Sequence, residues 1–108
     1  MHLINLIFLN MKDKLIQEKV LLEELNKIIK EMDAEIYFSF NEPCEQRVCL
    51  EKNKNTWKVY NVERGIKFQL KEFDSLYNAC ICVIKRLSYS IEQSNYFTQK
   101  YKRTLRRN

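Results

Sequence analysis

Four cysteines, one histidine and two carboxylates near a lone glycine are the residues of this 108-residue chain with the types to do chemistry. Cys44 and Cys49 are separated by four residues, and Cys80 and Cys82 by one. Structural zinc sites pair ligands as C-x(2–4)-C and add a second such pair or histidines. On a helix, Cys80 and Cys82 would point about 200° apart, and the single histidine, His2, sits at the N-terminal end. The spacing therefore predicts no metal site, and the cysteines read as small buried apolar residues. A cysteine nucleophile without a histidine base lacks its activating partner. Glu63 and Glu72 could act as acid and base, but their spacing selects them over no other carboxylates. One glycine cannot build a phosphate-cradling loop. No catalytic residue, cofactor or metal is assigned, and the chain reads as a non-enzyme.

The remaining chemistry is charge. The net charge is +5, yet Lys100, Lys102, Arg103, Arg106 and Arg107 fall within the last nine residues, and the rest of the chain balances 14 basic against 14 acidic side chains. The basicity is read as a tail at 100–108 on a neutral body. A basic end is not the basic face that long-range attraction to phosphate requires.

The elements that position these residues follow from hydrophobic period. From about residue 13 to 32, Leu15, Leu22, Leu25, Ile29 and Met32 recur at three and four, with Leu21 and Ile28 beside them, which predicts an amphipathic helix. The period then becomes two. Ile36, Phe38 and Phe40 alternate with polar neighbours and Tyr37, Pro43 interrupts, and Val48 and Leu50 alternate again. "WKVYNVE" carries apolar residues on both faces, Trp57 and Val59 on one and Tyr60 and Val62 on the other. In "IKFQLKEF", Ile66, Phe68 and Leu70 are expected on one face and Lys67, Gln69 and Lys71 on the other. Gly65, in "ERG" between two strands, suits a hairpin turn that needs φ > 0. Asp74 or Ser75 can cap the next helix, whose stripe is Leu76, Ala79, Cys80, Val83, Ile84 and Leu87. The C-terminal segment is helical too, either continuous with that helix or separated by a bend near residues 88–90.

The expected fold class is α+β in a single domain, 1–108. An N-terminal helix, a four-stranded antiparallel meander and a C-terminal helix or helix pair pack on one sheet face. Residues 1–10 read as an extension, a strand or a docking segment, too short to span a bilayer and without the basic start of a signal peptide. The expected setting is cytoplasmic with reduced thiols, with no membrane partner; monomer and homodimer are both compatible with the sequence. The helix–sheet–helix order is shared with double-stranded-RNA-binding domains. Their final helix opens with basic residues, whereas here it opens "DSLYNACICV", so a nucleic acid partner is not expected.

The stretch "WKVYNVERGIKFQLKEFDSLYNACICVIKRL" resembles the C-terminal half of small bacterial immunity proteins that accompany polymorphic toxins, including LXG-type toxins. Those proteins show a Trp-x-Val-Tyr strand, a Glu-Arg-Gly turn and Phe-Asp-Ser leading into a helix with an Ala-Cys pair. The matching residues are Trp57, Val59, Tyr60, Glu63, Arg64, Gly65, Phe73, Asp74, Ser75, Ala79 and Cys80. The resemblance implies a protein that neutralises a cognate secreted toxin domain by tight binding, without catalysis. Immunity proteins against nucleases are often strongly acidic and this chain is not, which favours a target other than a nuclease, or binding away from the toxin's active site. The expected toxin-binding patch is Tyr60, Glu63 and Arg64, joined by Tyr37 and Trp57. The alternative is a small nucleic-acid-binding or phage-type accessory module that uses the basic C-terminal tail.

Overall fold

Helix α1 (His2–Glu31) ends in a left-handed residue, Asp33, with φ of 56°. The Asp33 amide donates to the Lys30 carbonyl and the Ala34 amide to the Ile29 carbonyl, at 3.0 and 3.1 Å. That pair of bonds is the Schellman closure, with aspartate where glycine is usual. A computed structural model of the chain describes residues 2–107, with side chains from Lys12 onward. Residues 2–10 belong to α1, which corrects the strand reading for 1–10 and the expected helix start near residue 13; the docking-segment reading concerns side chains outside those described.

A single 3-10 turn, Glu35–Tyr37, follows, and then β1 (Phe38–Phe40), β2 (Val48–Asn53), β3 (Thr56–Glu63), β4 (Ile66–Phe73), α2 (Leu76–Leu87) and α3 (Ile91–Arg107). The fold is α+β, with the four strands in sequence order across one sheet. The sheet is mixed, which corrects the expected antiparallel meander: β1 runs parallel to β2, and only β2–β3 and β3–β4 are antiparallel. The reason lies in residues 41–47. After three residues of β1 the chain doubles back, with Asn41 and Gln46 both at positive φ, and starts β2 from the same end. The return is fastened to the sheet. The Asn41 amide donates to the Leu50 carbonyl at 2.8 Å, its side-chain oxygen accepts from the Lys52 amide at 2.9 Å, and the Gln46 amide donates to the Val62 carbonyl at 2.8 Å. The strand expected from the alternation of Ile36, Phe38 and Phe40 is correspondingly short, and Ile36 is exposed on the 3-10 turn.

Helix α2 lies against β2, β3 and β4, while α1 and α3 pack beside it and on each other. The main core joins Leu25, Ile28 and Ile29 of α1 to Val48, Leu50, Trp57 and Val59 of the sheet and to Leu76, Ala79, Cys80, Val83 and Ile84 of α2. Leu15, expected on the core stripe of α1, is 60% exposed. Ser75, not Asp74, caps α2: its Oγ accepts from the Asn78 amide at 3.0 Å. The C-terminal segment is a helix pair. Ser90 Oγ accepts from the Gln93 amide at 3.0 Å and so starts α3 afresh.

Residues 100–107, read as a basic tail, form the last turns of α3. Tyr101 is fully buried there and its hydroxyl donates to the Leu21 carbonyl of α1 at 2.9 Å. Lys100 Nζ lies 2.7 Å from Glu31, and Leu105 packs against the core. Lys100 and Tyr101 face α1, so the basic residues decorate a packed helix and not a free end.

Candidate binding surface

The β3–β4 hairpin turns on Arg64 and Gly65, at φ of 53° and 74°. Two positive φ values in a two-residue loop define a type I′ turn. Its amides are not open to a ligand. Glu45, from the return loop, accepts from the Arg64 amide with Oε1 and from the Gly65 amide with Oε2. Sequence reasoning missed Glu45, because nothing local marks a residue that acts across 20 positions. The Glu63 and Arg64 side chains are exposed at this turn, and among the described residues no ion pair joins them.

Trp57 and Tyr60 of the expected patch are buried, on opposite faces of β3. Trp57 faces the helices, with the Lys52 ammonium 5.4 Å from its ring and Phe40 beside it. Tyr60 forms a second buried cluster with Cys49 and Val62 on the far face. Its hydroxyl donates to Glu51 at 2.9 Å, and Lys67 sits 4.6 Å over its ring and 4.0 Å from the same carboxylate. Burial, reinforced by the hydrogen bond to Glu51, raises the Tyr60 pKa. Burial also raises Cys49 and pushes Cys80 up to about 12. All four cysteines are free, and both fully buried thiols are held in the unreactive protonated form. Among the described residues no cluster of three His, Cys, Asp or Glu could hold a metal.

Tyr37 is 54% exposed but precedes β1, at the opposite edge of the sheet from the hairpin turn. The structure thus brings Glu63, Arg64 and Gly65 together, buries Trp57 and Tyr60, and leaves Tyr37 apart.

One strand, β4, is exposed along nearly its whole length. Every residue from Ile66 to Glu72 is exposed, and β4 is an edge strand. Its faces differ from the simple alternation expected. Phe68 pairs with Asn61 and Lys71 with Val59, so two residues of β4, Gln69 and Leu70, oppose Tyr60 alone. This is a bulge, with Gln69 at φ of 54°. It reverses the parity of the strand. Ile66 and Phe68 share the helix side with Lys71 and Phe73, whereas Leu70 joins Lys67 and Glu72 on the far face. Arg86 of α2 holds the bulge, donating to the Asn61 side chain at 2.8 Å and to the Gln69 carbonyl. No signal in the alternating sequence marks the insertion, since Gln69 is polar where a polar residue is expected.

No helix among the described residues is long and apolar enough to cross a membrane. In comparisons with protein-family models, curated proteins and solved structures, nothing matches this chain.

Proposed function

We propose that this chain is an immunity protein that binds and neutralises a secreted bacterial toxin domain by protein–protein contact, with no catalysis of its own. The observation that carries the reading is β4. It is an eight-residue edge strand that presents Ile66, Phe68 and Leu70 at 67%, 37% and 46% exposure. Large apolar side chains on an unpaired edge mark a surface for a partner, because the edge also offers unpaired backbone donors and acceptors. The resemblance over residues 57–80 supports the class of partner. Five of the eleven positions that carry it, Trp57, Val59, Tyr60, Ala79 and Cys80, are buried and hold the sheet and helix together. The contact surface therefore moves from the expected Tyr37, Trp57 and Tyr60 to β4, with Glu63 and Arg64 at its turn.

The test is neutralisation. A toxin domain encoded beside this chain is co-expressed with it, and binding is measured on the purified pair. The expected result is rescue of growth and nanomolar affinity, equivalent to about −12 kcal/mol. Replacing Ile66 and Phe68 by aspartate is expected to weaken binding at least a hundredfold while the thermal melt persists. Full rescue by that folded variant removes β4 from the reading, and a neighbouring gene with no toxin domain removes the reading itself. The Glu63→Ala, Arg64→Ala double variant separates turn from strand.

A further inference from the structure

The helix side of the β4 edge opens into a groove of about 460 Å³ between β4 and α2, lined by Lys71, Phe73, Ile81, Cys82, Lys85 and Arg86. A smaller hollow at Gln69 and Leu70 shares Lys71 and Arg86 with it. Three cations line this groove and no carboxylate does. Among the described residues none of the ion pairs involves Lys71, Lys85 or Arg86. Arg86 is engaged only by neutral groups, the Asn61 side chain and the Gln69 carbonyl. The ion pairs that join β4 to the rest of the sheet lie on the other face, Lys67 with Glu51 and Lys58 with Glu72. The groove beside the exposed apolar edge thus gathers three cations that no carboxylate among the described residues pairs.

We infer that this edge and groove dock an extended, acidic segment of a partner protein, added to β4 as a further strand. The inference rests on the proposed partner-binding role and supplies the chemistry of the segment. The bulge at Gln69 sets its pattern. On the helix side an added strand passes Ile66 and Phe68 at one end and Lys71 at the other. It therefore carries apolar side chains at the hairpin end and carboxylates where it meets the groove. Backbone pairing supplies affinity, and the carboxylates select the partner. Three cations beside three large apolar side chains suit a polypeptide better than a nucleic acid, whose binding is dominated by many phosphate contacts.

The probe is an end-blocked ten-residue peptide, valine-rich in one half and glutamate-rich in the other, against a counterpart with lysine for glutamate. Fluorescence anisotropy with the full chain is expected to show at least tenfold preference for the glutamate peptide. The preference falls as salt rises, and N-methylation of alternate peptide amides abolishes binding. The K71E/K85E variant is expected to reverse it, and the milder K71Q/K85Q variant to remove it if the first does not fold. Equal binding of the two peptides, or no binding, overturns the inference. So does tighter binding of a 20-nucleotide single strand, or a concentration-dependent dimer that K71E/K85E dissolves. A cognate toxin that binds K71E/K85E undiminished overturns this inference while leaving the immunity reading intact. Peptide selectivity without any toxin binding does the reverse.

Discussion

Glu45 Oε2 lies 3.0 Å from the amide nitrogen of Gly65, while its other oxygen accepts from the Arg64 amide. One carboxylate thereby ties the return loop, which makes β1 parallel, to the turn of the β3–β4 hairpin. Hydrogen bonds to a charged acceptor contribute about 1.5–3 kcal/mol when buried, and Glu45 is exposed, so the expected cost of Glu45→Ala is about 1 kcal/mol. Glu45→Gln keeps one acceptor oxygen and is expected to fall between. Urea unfolding measures both, and limited proteolysis should cut the 41–47 loop faster in the alanine variant. Unchanged stability and cleavage would detach the loop from the turn.

Gly65 answers for its backbone alone. At φ of 74° a side chain is strained, yet a Cβ there meets nothing within 4 Å. Gly65→Ala is expected to cost about 1 kcal/mol, Gly65→Val more because of its branched Cβ, and Gly65→Asn least. The measurement is the urea midpoint, with the near-UV spectrum unchanged throughout. A Gly65→Val variant as stable as the parent would show that the turn relaxes to another type.

Much of this architecture was legible because its causes are local. The stripe of α2 and the turn at Gly65 each follow from a few adjacent residues, whereas the choice of Ser75 over Asp74 as cap and of a break over a continuous helix at residues 88–90 was left open by the sequence. What was not legible is non-local or substitutes an unusual residue. Among the described residues six non-glycine residues occupy the left-handed region, including Asp33, Asn41, Gln46 and Gln69, so a scan for glycine misses the helix stop, the return loop and the bulge. The two buried faces of β3 made Trp57 and Tyr60 readable as either core or surface. The packing of Tyr60 under Lys67 and beside Cys49 decides for core. A single extra residue at Gln69 changes which side chains of β4 share a face, and it parts Leu70 from Ile66 and Phe68.

Arg86 fixes that bulge from α2 by a two-pronged contact that lysine cannot reproduce. Arg86→Ala is expected to destabilise the fold by about 1–2 kcal/mol, and Arg86→Lys to recover less than half. Hydrogen exchange should rise at residues 68–71 and stay unchanged in α1. Uniform loss of protection across the chain would mean that Arg86 supports the core and not the bulge.

Alkaline pH should unfold the protein early. Cys80 is fully buried, and burial pushes its thiol from 9.0 up to about 12. Below pH 9 the folded and unfolded chains both hold the proton, so the full stability is present. Between pH 9 and about 12 the unfolded chain releases it and the folded chain does not. Stability is then lost by about 1.4 kcal/mol per pH unit for that group. Cys49 is raised too, chiefly by burial, and adds a loss that starts at the same pH. Tyr60 and Tyr101, raised chiefly by burial, and Lys100, raised chiefly by its hydrogen bond to Glu31, add losses of the same sign at higher pH. Urea midpoints at pH 8, 9.5 and 10.5 should fall progressively, and Cys80→Ala should lessen the fall, with the Cys49 contribution left in place. A flat profile for the parent would show that the thiol titrates normally.

The basic C-terminal residues can be tested only without shortening the chain. Truncation at residue 99 removes Tyr101 and Leu105 from the core and is expected to cost several kcal/mol, since deleting one buried aromatic side chain alone costs about 3–5. Loss of function on truncation would therefore report unfolding. Tyr101→Phe isolates the hydroxyl bond to Leu21 and is expected to cost about 1 kcal/mol. The charges are isolated by replacing Lys102, Arg103, Arg106 and Arg107 with glutamine. These residues lie outside the core and among the described residues form no ion pair, so each is expected to shift stability by less than about 0.5 kcal/mol. Toxin neutralisation should survive that fourfold change. A parent that binds oligonucleotides with steep salt dependence, and a folded fourfold variant that loses both that binding and its activity, would transfer the function from β4 to α3.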